Sequence, residues 1–318
     1  MPFSQCTLSS LSQVQPLRGL QLPFTLKRRQ SRDMPSGMSS PYTVTLKHRI
    51  YVGGGGTISD DPHTVYEYHP QEDRWLKLER YPYRWFAMAV FCDKLTLVGG
   101  RTSTWPSIMV NRIAVWGTKG TSQQWTDPYP RMPTHRALPA VATYNHWLVV
   151  AGGWNDINLD TVELLNADSQ QWLSTTLLPL KCCNMTTTIV EDHLYLLGGT
   201  LSNQVLSIHL PTITAQSPNI TKSSAQWHNL PPAPLEWSAG IALRGSLLAV
   251  GGNDGNDCAR KAIYVYQPDT KEWSKVGDLP TERSHCSCTL LPSGEIVVAG
   301  GFKSSGYPSS RVDAAAID

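Results

Sequence analysis

The chain has no metal-type CxxC pair among its seven cysteines, no apolar run near membrane-spanning length and no strong charge of either sign. Each lack excludes something. Odd, unclustered cysteines with Cys286 and Cys288 alternating as on one strand face read as reduced thiols, not a disulfide framework or a zinc site. The first 23 residues have scattered leucines but no charged start followed by an apolar core, so no signal peptide is read there. A net charge of +2 gives no general attraction to nucleic acid or acidic membrane. Lys27, Arg28 and Arg29 are too short a basic cluster to change that. The expectation is a cytoplasmic protein, in which the sequons at Asn184 and Asn219 are chance matches.

Enzymatic signatures are missing as well. There is no HExxH, no GxSxG and no phosphate-loop GxxxxGK[ST]. The run Gly53-Gly54-Gly55-Gly56 has neither the Lys-Ser/Thr nor the helical pattern that a phosphate loop needs.

What the sequence does have is a repeat. A short apolar run ends in Gly-Gly six times, with first glycines at 53, 99, 152, 198, 251 and 300. The spacings are 46, 53, 46, 53 and 49 residues. Runs such as Leu148-Val149-Val150-Ala151 suit a strand buried on both faces. Downstream, Trp75, Trp125, Trp172, Trp227 and Trp273 recur 20 to 29 residues after a Gly-Gly. Each is a large apolar body whose single N–H needs an acceptor. A proline turn such as Leu178-Pro179 or Leu279-Pro280 often follows. Between the markers lie two hairpins per repeat.

Glycine pairs, tyrosines near Tyr66, Tyr68, Tyr264 and Tyr266, and the spaced tryptophans resemble the kelch family across residues 22–318. Val115 and Val162-Glu163-Leu164 depart from that pattern in single repeats. The resemblance implies an all-β propeller of six blades, each with four antiparallel strands. After the sixth Gly-Gly only Arg311–Ile317 reads as a strand, so the last blade lacks its outer strand. Residues 22–33 are expected to supply it, with Phe24 in the place of the Trp, and 1–21 to form a loose tail. Such closure removes open sheet edges.

Strand parity puts the segment after each Gly-Gly on the same face as the links between blades. Loops on a rigid scaffold tend to carry function. The candidate partner-binding residues there are Tyr83, Arg84, Trp85 and Arg101, then Arg136 and Trp154, then Trp237, Asn253 and Asp254, then Arg283, His285 and Phe302. Aromatics and arginines bury much area and make forked hydrogen bonds. Each also has a plainer reading. Trp85 and Trp237 could pack under loops, and Arg84, Arg136 and Arg283 could pair with Glu236 or Glu282. Kelch adaptors contact peptides at positions matching Arg84 and Arg101. The resemblance therefore implies a non-enzymatic adaptor for a protein or peptide, acidic ligands included, although Asp60, Asp61, Asp156, Asp254 and Asp257 share the face. No cofactor or metal is expected. Two alternatives stay open. One is a small-molecule or sugar-acid-isomerising kelch enzyme using Arg84, Arg101 and Arg283 with Glu236, and the other is a scaffold that interacts through blade edges.

Overall fold

A computed structural model describes residues 26–57, 61–119, 122–214 and 226–317. Within them the chain forms six four-stranded antiparallel sheets. Five are built from consecutive strands. Blade 1 comprises Tyr42–Leu46, Arg49–Gly53, Val65–His69 and Arg74–Lys77. Blades 2 to 5 begin at Ala87, Ala140, Thr186 and Ala239. Blade 6 takes Ser287–Leu290, Ile296–Ala299 and Val312–Ile317 from the end of the chain and its outer strand, Leu26–Gln30, from the beginning. Leu26 lies opposite Ile317 and Gln30 opposite Asp313. The expected tail at 1–21, Phe24 and Cys6 lie outside the described residues.

The apolar runs before Gly-Gly are the second strands. Their side chains alternate between neighbouring blades, which is why both faces are apolar. Ile50 and Val52 pack towards blade 6 with Val297 and Ala299, whereas Tyr51 packs towards blade 2 with Leu95 and Leu97. A separate buried cluster fills each of the six interfaces between adjacent blades. Full burial of each such aliphatic side chain contributes about 1.5–3 kcal/mol.

Four of the five recurring tryptophans fasten an outer strand to the connection that precedes its blade. Trp75 Nε1 donates to the Arg32 carbonyl at 2.9 Å, Trp125 to Glu79 at 2.8 Å, Trp172 to Pro130 at 3.1 Å and Trp273 to Pro231 at 3.0 Å. The innermost strands line a central channel and are joined partly through hydroxyls. Thr43 Oγ1 meets Ser287 Oγ, and Thr45 Oγ1 lies 2.9 Å from Thr289 Oγ1. Blade 4 reaches its outer strand, His228–Leu230, after one helical turn, Leu210–Thr214. The strand-and-turn pattern of the sequence does not announce that turn.

Candidate binding face at the channel mouth

Six non-glycine residues, one per blade, adopt left-handed backbone angles two positions before the innermost strand. They are Ser40, Trp85, Leu138, Asn184, Trp237 and His285, with φ between 47° and 60°. Such angles are uncommon outside glycine and need support from their surroundings. Here the support is a belt of backbone bonds passed from blade to blade. The Leu138 N–H donates to the Trp85 carbonyl at 2.8 Å, and Asn184 to Leu138 at 2.9 Å. His285 donates to Trp237 at 3.1 Å, and Ser40 to His285 at 2.9 Å. Trp237 instead donates to Ser202 at 3.3 Å, and among the described residues no belt bond joins Trp85 to Ser40. The belt thus consists of two arcs, over blades 2–4 and over blades 5, 6 and 1.

The residue after four of the six glycine pairs bridges back to this rim. Arg84 pairs with Arg101, Ala137 with Trp154, Glu236 with Asn253 and Ser284 with Phe302. These bridges set the post-glycine segment and the inter-blade link on one face. Across the middle of that face, Asn184 Nδ2 donates to Ser40 Oγ at 2.9 Å, joining blades that stand three apart in the ring. Beneath it lies a cavity of about 70 Å³, bordered by Thr43, Thr186, Trp237, His285 and Cys286. That space has room for a few waters.

Two aromatic groups flank the Asn184–Ser40 bond. On the side of blades 2 and 3, Trp85 and Trp154 meet edge to face, with centroids 6.3 Å apart. The Arg101 guanidinium lies 4.6 Å from the Trp85 centroid and 5.6 Å from that of Trp154, and Arg84 lies 5.3 Å from Trp85. Ser107 Oγ accepts from Arg101 Nε at 2.7 Å. Burial, and then the charge of Arg84, hold Arg101 below the ordinary guanidinium range. Neither arginine has an ion pair among the described residues. Tyr83 sits lower, edge to face with Tyr81 and under Arg112.

On the side of blades 5 and 6, the Trp237 and His285 rings stack at 4.1 Å and 17°, and Phe302 meets His285 edge-on at 5.4 Å. Burial pushes the His285 imidazole down to about 4. Asn253 stands beside Glu236. Asp254 is engaged in its own turn, accepting from the Asn256 and Cys258 amides and from Arg260. Those bonds, Arg260 foremost, hold its carboxyl below the usual range.

Two candidates are corrected. Arg136 and Arg283 are 0% and 1% exposed and face no ligand. They occupy one register position in blades 3 and 6, and each ties its blade together from inside. Arg136 bonds the Gly152 carbonyl at 2.6 Å and pairs with Glu163 at 2.9 Å. Arg283 bonds the Arg311 carbonyl at 3.0 Å and pairs with Asp313. The expected partners Glu236 and Glu282 are not the ones used. Of the remaining ten candidates nine lie on the rim, Asp254 committed to its own turn, while Tyr83, in the register of Arg136 and Arg283, packs below it against Tyr81. Asp60 and Asn219 lie outside the described residues.

Sequence reasoning missed Ser40, Leu138 and Asn184, which belong to the mouth as fully as the two tryptophans. Aligning the repeats at the start of the innermost strand, rather than on Gly-Gly, brings all six into one column. It also missed the loop after Arg101, where Trp105 is 95% and Ile108 59% exposed. Among the described residues no group of three or more His, Cys, Asp or Glu side chains is placed to hold a metal ion, and no helix is long and apolar enough to cross a membrane.

Comparison with known proteins agrees with the geometry. A kelch motif matches residues 241–280, part of the first strand and all of the other three in blade 5. Alpha-scruin of Limulus polyphemus is 23% identical over 89% of this chain, and Kelch-like protein 35 of Mus musculus is 22% identical over 77%. The chain spans 32% of the former and 40% of the latter. The solved structure of YjhT superposes with a TM-score of 0.70 at 14% identity, covering 91% of this chain and 99% of that one. Six glycine-paired repeats, six four-stranded blades and a kelch motif in blade 5 make the chain a six-bladed propeller similar to kelch-repeat proteins.

Proposed function

We propose that this protein is a non-enzymatic interaction module that holds a peptide or protein segment across the channel mouth. One observation carries the reading. Arg84 and Arg101 lie against Trp85 and Trp154, half-buried and without carboxylate partners among the described residues, beside the exposed side chains of Trp105 and Ile108. Unpaired arginines on aromatic faces, rimmed by accessible apolar groups, are the makings of a recognition surface. Relatives named as kelch-like proteins support an adaptor role, in which the propeller supplies recognition and another protein or segment supplies the effect.

The geometry favours binding over small-molecule chemistry. The cavity under the mouth holds about 70 Å³, and the channel of about 340 Å³ between the innermost strands, large enough for a small ligand, is lined by apolar and hydroxyl side chains with no charged group. Arg283 is spent on Asp313, and Arg84 and Glu236 stand on opposite sides of the ring, so the arginine–carboxylate set of an isomerase does not converge. The odd cysteine count with no CxxC pair favours a reducing compartment such as the cytoplasm.

Affinity capture with the whole chain as bait tests the proposal. Arg101→Ala and Trp154→Ala are each expected to reduce recovery of specific partners about tenfold or more, the range of a strong interface residue. Full recovery with both variants would remove this face from consideration.

A further inference from the structure

The segments Tyr83-Arg84-Trp85 and Leu235-Glu236-Trp237 occupy the same register in blades 2 and 5. Both tryptophans are left-handed mouth residues, and the residue before each pairs with the segment after the glycines, Arg84 with Arg101 and Glu236 with Asn253. Blades 2 and 5 stand three apart, so an arginine and a glutamate hold equivalent places on opposite sides of the axis.

Both charges are half-buried, and neither has an ion-pair partner among the described residues. Nearby charges do not cancel them. Asp254 is taken up by Arg260. Asp156, exposed at the edge of the tryptophan pair, acts on Arg101 more weakly than Arg84 does. Half-buried charges left unpaired attract opposite charges and reject like ones strongly, because solvent screens them poorly. The ground between the poles is small and polar. Ser40 and Asn184 spend one hydrogen bond on each other, which leaves the Asn184 amide oxygen able to accept from a ligand N–H.

We infer that the mouth is polarised, and that it selects a protein segment with an acidic group at the Arg84–Arg101 side and a basic group at the Glu236 side, laid across Ser40 and Asn184. This rests on the reading of the face as a peptide site and adds the pattern and direction of charge. A purely acidic segment satisfies one pole and meets Glu236 at the other.

Fluorescence anisotropy with labelled seven-residue peptides tests it. The peptides share an apolar centre and carry Glu/Lys, Lys/Glu, Glu/Glu, Lys/Lys or Ser/Ser near their ends. One of the two mixed orders is expected to bind at least tenfold tighter than either like-charged peptide. Glu236→Lys is expected to move the preference to Glu/Glu, and Arg84→Glu with Arg101→Glu to Lys/Lys. Adding Glu236→Arg to that double change is expected to favour the opposite mixed order. Glu236→Gln, a milder change, is expected to lose the discrimination against Glu/Glu, and thermal melts show whether each variant remains folded. Binding whose ranking is untouched by Glu236→Lys and Glu236→Gln overturns the polarity and leaves the peptide site standing. If no peptide binds the wild-type chain, both readings fall together.

Discussion

With the guanidinium removed from Arg283, the buried Asp313 carboxyl, about 2% exposed, would lose its main partner and keep Arg311 at 3.6 Å. Breaking a buried pair from one side costs about 3–5 kcal/mol. Arg283→Met and Arg136→Met are each expected to lower unfolding free energy by that order in urea titrations, and Arg283→Met with Asp313→Leu to recover much of it. The sequence hid this role because an arginine in an inter-blade link looks like a rim residue. Parity separates the two cases. Residues two positions before the left-handed site are Met38, Tyr83, Arg136, Cys182, Leu235 and Arg283, mostly apolar and inward, whereas Arg84 and Glu236 stand one position later. His285 gives a second expectation at this scale. Its ring stays neutral in the folded chain down to about pH 4, while in the unfolded chain it takes a proton near pH 6.5. Its contribution is complete above about pH 6.5 and is lost as pH falls towards 4, at no more than about 1.4 kcal/mol per pH unit. His285→Phe is expected to flatten the dependence of the urea midpoint on pH in that window.

Six Gly-Gly runs made the second strands legible, because burial on both faces leaves an unbroken apolar stretch. The glycines themselves meet two demands. Gly99 has φ +67° and its Cα faces the Arg136 carbonyl so closely that a Cβ would overlap that oxygen. Gly99→Ala combines left-handed strain with a backbone clash and is expected to cost about 2 kcal/mol or more, read as a fall in Tm against wild type. A tryptophan change probes a different contribution. Trp125→Phe loses the bond to Glu79 together with part of the ring that packs on Tyr81 and Trp116, so a cost above the about 0.5–1.5 kcal/mol of the bond alone is expected in the same measurement. Other elements could not be read. The turn Leu210–Thr214 follows a strand without any helical repeat of apolar positions, held by Thr214 Oγ1 on the Leu210 carbonyl at 2.9 Å. The mouth residues Ser40, Leu138 and Asn184 share a backbone angle and not a side-chain type, so no residue pattern marks them.

The ring is sealed by one strand from the start of the chain. Removal of residues 1–33 would expose the edge of Val312–Ile317, and unpaired edges recruit other strands. The truncated protein is expected to form dimers or larger species in size-exclusion chromatography and to melt at lower temperature than the full chain. The unmatched strand at each end of the sequence foretold this closure, since five repeats were complete and the sixth fell one strand short. Leu26 and Ile317 lie side by side in that seal. A short linker between them would therefore make the polypeptide circular in all but one cut, and that cut could be moved to a surface turn such as Pro292–Gly294. A permutant of this kind would start its synthesis within blade 6 and carry the same mouth, because the order in which a ribosome meets the blades is no part of what holds them together.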